Sequence, residues 1–138
     1  MIKKLLSFLI LLLPAFLFAQ SNASSSCDII FTSVEQPPSL KISQTALEDT
    51  LTSILQSKKF KMNNSEIAYE FVLTDQSNVT DLRVKSYSGN ISQEKILAET
   101  ILGLGNLWAP AKQNGHLVCA YVQLKISFEN KKLSIVLF

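Results

Sequence analysis

Reactive side chains are few in this sequence, and their spacing does not converge. His116 is the single histidine and follows Gly115 in a turn-forming stretch, so it lacks the partner that a metal site or a general base needs. Glu48 and Asp49 are neighbours in a helical pattern, so they point in different directions and are wrongly placed to share acid/base work. Cys27 and Cys119 are the two cysteines. In an oxidising compartment they can bridge and close a long loop; unbridged, Cys119 is a partly buried free thiol, and the sequence leaves both states open. These parts assemble neither a nucleophile triad nor a ligand cluster. No catalytic, metal or cofactor residue is assigned, and a protein that is not an enzyme is expected.

Composition narrows the partners. The chain has 138 residues, 47% of them apolar and 17% charged, which suits one globular domain plus a targeting segment. Lys3 and Lys4 account for the formal charge of +2, since the other eleven basic residues balance 11 acidic ones. That balance gives no case for nucleic acid or anionic lipid.

The leading segment has the layout of an export signal: Lys3 and Lys4, an apolar run from Leu5 to Phe18 broken by Ser7 and Pro14, then Phe18-Ala19-Gln20. Cleavage after Ala19 makes residues 1–19 a signal peptide. The run is shorter than the roughly twenty residues that cross a bilayer as a helix, and it holds a proline. Small polar residues follow, then Pro37-Pro38, so residues 20–38 are expected to form a flexible leader and residues 39–138 the domain.

Within the domain, Leu47, Leu51, Ile54 and Leu55 recur at helical spacing between Gln44 and Lys58, with Ser43 placed as N-cap. Ile67, Tyr69, Phe71 and Leu73 then alternate as a strand. After the turn residues Thr74–Asn78, a second strand from Val79 to Tyr87 puts Thr80, Leu82 and Val84 on one face and Asp81, Arg83 and Lys85 on the other. A second helix carries Leu97, Ile101 and Leu104, with Ser92 as N-cap candidate and Gly103 and Gly105 at its end. From Val118 to Phe128 every even position is apolar, the clearest strand in the chain. Glu129–Lys132 is a polar turn, after which Leu133–Phe138 returns as a short strand or ends as a tail. The order helix, strand, strand, helix, strand predicts an α+β fold: a small antiparallel sheet of three to four strands, both helices on one face, and the opposite face largely wet.

One stretch carries a resemblance. Asn106-Leu107-Trp108-Ala109-Pro110-Ala111-Lys112-Gln113-Asn114-Gly115-His116-Leu117-Val118 closely resembles the Trp-x-Pro-Ala…Asn-Gly-x-x-Val signature of TonB C-terminal domains. Tyr69–Leu73 and Val79–Val84 look like that family's first hairpin, and Val118–Phe128 like its terminal strand; the likeness covers Ser39 to Phe128. The residues have physical reasons of their own. Pro110 biases Ala109 toward extended backbone, Ala111 follows it, Trp108 can plug the end of the sheet, and Gly115 suits a turn with positive φ before the strand.

The resemblance implies a binding module without chemistry, one that adds a segment of an outer-membrane receptor to its sheet edge as an extra strand. The Pro-rich spacer and motor-coupled anchor of TonB itself are missing. An exported, periplasmic or secreted interaction module for an envelope partner, such as a TonB-dependent outer-membrane transporter, is therefore expected ahead of a membrane-anchored energy transducer or a secreted small-ligand-binding α+β domain. A homodimer is left open. On this expectation the last strand is the binding edge, with Leu117, Tyr121 and Gln123 alternating on its polar face.

Overall fold

Ser43 starts the first helix: its Oγ accepts from the Ala46 N–H at 3.1 Å, and α1 runs Gln44–Ser57. Leu47, Leu51 and Leu55 form its buried stripe, each burial contributing about 1.5–3 kcal/mol. The computed structural model describes residues 27–138; the signal peptide expected at 1–19 and the start of the leader lie outside the described residues. Two-residue strands β1 (Ile30–Phe31) and β2 (Ser39–Leu40) precede α1. After it come β3 (Ser65–Leu73), β4 (Val79–Gly89), α2 (Glu94–Leu102), a 3-10 turn (Gly105–Leu107), β5 (Trp108–Ala109), β6 (Ala111–Gln113), β7 (His116–Glu129) and β8 (Lys132–Leu137). The second helix is capped differently from the expectation: Gln93 occupies the N-cap without a side-chain bond, and Leu104 lies past the helix end.

The sheet corrects the expected fold class. In place of three to four antiparallel strands in α-β-β-α-β order, six strands form a mixed sheet in which β1, β6, β7 and β8 flank the β3–β4 hairpin, and β2 pairs β5 in a separate two-stranded sheet. β7 is the hub. It pairs β3 along Ala120–Phe128, β8 along Leu124–Glu129, β6 at its start, and β1 in parallel at Cys119 and Ala120. Such short added strands borrow their hydrogen bonds from β7 and are too brief to leave a periodic signal of their own.

Two tight turns set the hub in place. Asn114 and Gly115 both have positive φ (51° and 75°) between the paired residues Gln113 and His116, the geometry of a primed two-residue hairpin. Asn130 and Lys131 (50° and 61°) do the same between Glu129 and Lys132, which turns Leu133–Leu137 back as β8. At the corner, Gly105 passes so close to the Ser77 carbonyl that an added Cβ would collide with it.

The core lies between the sheet and the helices, with Val122, Leu124, Ile126 and Phe128 of β7 and Tyr69 and Phe71 of β3 packed with the α1 leucines and Leu97. Two bulges in β4 change which residues join it. Pairing steps from Ala68–Ser86 to Tyr69–Val84, which leaves Lys85 extra, and from Glu70–Arg83 to Val72–Thr80, where Asp81 has φ 51°. Each insertion flips the alternation, so Val79, Leu82, Val84 and Tyr87 share the helix side while Thr80 turns to the outer face. The expected grouping of Thr80 with Leu82 and Val84 fails for that reason.

The outer face is wet only in part. Toward one end, Glu66 meets Lys125 (3.6 Å) and Ser127 (3.2 Å), and Glu70 meets Arg83, Lys85 and the Gln123 amide at 3.4, 3.8 and 3.0 Å. Toward the other end Val72 and Cys119 are buried. There a disulfide joins Cys119 to Cys27, with Cα atoms 6.0 Å apart. Residues 27–38, grouped with the leader by the sequence, are thus fastened to the sheet by this bond, by β1, and by the Gln36–Lys112 bridge.

Candidate functional site

The phase of the main chain across the sheet decides which edge is open. In an antiparallel ladder the N–H and C=O of one residue point to the same side, and the side alternates along the strand. Ile135 sets the phase: its N–H donates to Glu48 Oε1 at 2.9 Å, and its C=O accepts from Gln44 Nε2 at 2.6 Å. It therefore faces away from β7, and Ser134 and Val136 face toward it. Carried through the registers, Ser127 and Lys125 bond β8, Ile126 and Leu124 bond Ile67 and Tyr69, and Ala68 and Glu70 bond Ser86 and Arg83. Val84 and Tyr87, the next residues along β4, consequently turn their peptide groups outward.

β4 ends the strand order, and among the described residues no backbone partner meets those outward groups. Their side chains add apolar surface to the same edge. Tyr87 is 72% exposed and Val84 41%, although they stand opposite the buried Ile67 and Tyr69. Helix α2 packs against β4 and its Glu94 takes the Tyr69 hydroxyl, yet Val84 and Tyr87 keep this exposure. An outward ladder of donors and acceptors flanked by exposed apolar side chains is the arrangement that accepts an extended peptide as an added strand.

The residues singled out from sequence fall elsewhere. Trp108 is buried and meets Phe71 edge to face, with centroids 5.6 Å apart, while β5 pairs with Ser39–Leu40. Pro110 separates β5 from β6, Ala111 is fully buried, and Gly115 sits in the primed turn. These four build the joint ahead of β7. Leu117, Tyr121 and Gln123 do alternate on the outer face, but the expectation that they mark a binding edge is corrected: β7 is an interior strand. Leu117 is exposed beside β6, Tyr121 lies under the Arg83 guanidinium (6.0 Å to the ring centroid), and the Gln123 amide is bound to Glu70.

Tyr69 is a buried titratable group engaged in structure. The buried Tyr69 hydroxyl donates to Glu94 Oε1 at 2.7 Å; burial pushes its phenol up, and the acceptor bond and charge of Glu94 add to the shift. Among the described residues no group of histidine, cysteine and carboxylate side chains is placed to hold a metal ion, and no helix is long and apolar enough to cross a membrane. The site that sequence reasoning missed is the Val84–Tyr87 edge. Its apolar residues were visible, but the two bulges that expose them and the strand order that leaves them unpaired were not.

No family model matches the chain, nor does any curated protein or solved structure.

Proposed function

We propose that this protein is an exported, non-catalytic interaction module that recognises an extended segment of an envelope protein, such as a TonB-dependent outer-membrane transporter, by adding it as a strand beside β4. The observation that carries this is the open edge itself: Val84 and Tyr87 offer outward peptide groups and exposed apolar side chains on one strand. Main-chain bonds supply the affinity in such a mode, and the side chains flanking the edge select the sequence. The export pattern of Met1–Gln20 and the Cys27–Cys119 disulfide both suit an oxidising envelope compartment.

The test uses peptides from the periplasmic segments of outer-membrane transporters, titrated while the backbone amides are followed by NMR. Binding is expected to shift the Val84 and Tyr87 amides first. Val84→Pro and Tyr87→Pro each remove one outward donor at an edge position where proline leaves the bonds to β3 in place. They should abolish binding while the protein stays folded. A peptide that shifts β7 or the α1 surface and binds both proline variants normally would refute the assignment.

A further inference from the structure

The segment Cys27–Pro38 is lightly held compared with the domain it lies against. None of its residues is fully buried, and none belongs to the hydrophobic core. Its far end is tied by polar bonds: Gln36 and Lys112 exchange backbone bonds of 3.1 and 2.9 Å, the Glu35 N–H donates to Gln113 Oε1 at 3.0 Å, and the Asn114 N–H donates to Glu35 Oε2 at 3.2 Å. Its near end has β1, two residues in parallel register with Cys119 and Ala120, and the covalent bond from Cys27 to Cys119. Parallel pairing is the weaker kind per residue, and so short a strand without buried side chains belongs to the parts of a protein that open without global unfolding. The bond keeps β1 at a high effective concentration beside β7.

We propose that the Cys27–Cys119 bond is a thiol-exchange site, and that its cleavage by a dithiol reductant releases β1 from β7 while the rest of the domain stays folded. A thiolate of the reductant attacks Cys27 Sγ, because Cys27 is the more exposed of the two residues and Cys119 is only 7% exposed. The disulfide breaks with its electron pair on Cys119 Sγ, which takes up a proton. The second thiol of the reductant then attacks the mixed disulfide and frees Cys27 as a thiol. Two electrons and two protons pass to the protein, and the reductant leaves as its own disulfide.

Release changes the surface that β7 presents. β3 occupies the other edge of Ala120 through Leu73, and β8 ends where the Phe138 N–H donates to the Gln123 carbonyl at 3.3 Å. No other described strand covers the interval from Cys119 to Val122 on the β1 side. Departure of β1 uncovers the peptide groups of that interval together with the Cys119 thiol, which is a second strand-accepting edge independent of β4 and present only in the reduced protein.

The experiment compares the full chain, native and without denaturant, before and after dithiothreitol, by hydrogen exchange and by alkylation with N-ethylmaleimide. Reduction should speed exchange more than tenfold in peptides spanning 28–31 and 117–122, leave those spanning 65–73 and 124–129 within twofold, and let both thiols alkylate. Cys27→Ser should give the same exchange pattern with no reductant. Unchanged exchange at 28–31 after reduction overturns the proposal, because β1 would then hold without the bond. Equal acceleration at 65–73 overturns it in the other direction, as the bond would be a staple for the whole domain. Two free thiols in the untreated protein remove its premise.

Discussion

Along β8 the outward peptide group of Ile135 is met on both sides by α1, its N–H by Glu48 and its C=O by Gln44, whereas along β4 the outward groups of Val84 and Tyr87 meet no described residue. Both are the last strands on their side of the same sheet, and both carry apolar residues. In the first case two helical side chains four positions apart take the place of a neighbouring strand. In the second, two bulges and the charges of Arg83 and Lys85 distort the edge without covering it. Bulges and lysines discourage indiscriminate pairing with flat strands, while a covering helix forbids pairing altogether. The difference separates an edge that has been closed from one kept selectively accessible.

The largest expected effect tests whether the two edges share one support. Phe71→Ala empties a fully buried site against Trp108 and should cost about 3–5 kcal/mol in denaturant unfolding. Amide exchange at Ile135 and in the β3–β4 ladder should rise together; loosening of one edge alone would show that they belong to separately stable units.

Removing the cover from β8 alone should be milder. Glu48→Ala leaves the Ile135 N–H without its acceptor, at a cost of about 1–3 kcal/mol, and its amide should exchange faster while the ladder from β4 to β3 is unchanged. Glu48→Gln keeps an acceptor oxygen and should recover most of the loss. If Glu48→Ala leaves Ile135 protected, the helix is not what closes that edge.

Tyr69 lies on β3, between the two. Its folded pKa is raised, so the folded protein keeps a proton that the unfolded chain gives up near pH 10; the associated stability is complete below that pH and is lost as the pH climbs toward the folded value. Unfolding free energy should therefore decline above about pH 10. Tyr69→Phe should cost about 1 kcal/mol at neutral pH and flatten the alkaline decline. An unaltered alkaline profile in that variant would place the titration elsewhere.

The smallest stability effect belongs to the open edge. Val84→Lys with Tyr87→Lys changes two exposed side chains and should move stability by no more than about 0.5 kcal/mol per site, yet it should remove peptide binding. A loss of several kcal/mol would mean that these residues support the fold and are not free for a partner.

The elements legible in the sequence are those long enough to repeat. Leu47, Leu51 and Leu55 mark α1, and the even positions from Val118 to Phe128 mark β7, because a buried face must recur at the period of its backbone. The strands that turn a small sheet into a six-stranded one are brief or ambiguous: β1 has two residues, β6 three, and β8 has an alternation that a tail could equally carry. Side-chain pattern also says nothing about which strand is outermost. Leu117, Tyr121 and Gln123 alternate as edge residues would, yet β7 is flanked on both sides. In β4, period-two reasoning fails wherever a residue such as Asp81 or Lys85 is inserted, since every side chain beyond the insertion changes face.

Gly105 and Gly115 make opposite demands on natural variation. At Gly105 the obstacle is room, because any Cβ would strike the Ser77 carbonyl, so orthologues that retain this corner must retain glycine there or rebuild the Thr74–Asn78 turn beneath it. At Gly115 no described atom lies within 4 Å of an added Cβ and the positive φ of 75° constrains the choice, so asparagine or aspartate can replace it. One glycine should diverge freely among descendants, and the other should change only in step with the loop it touches.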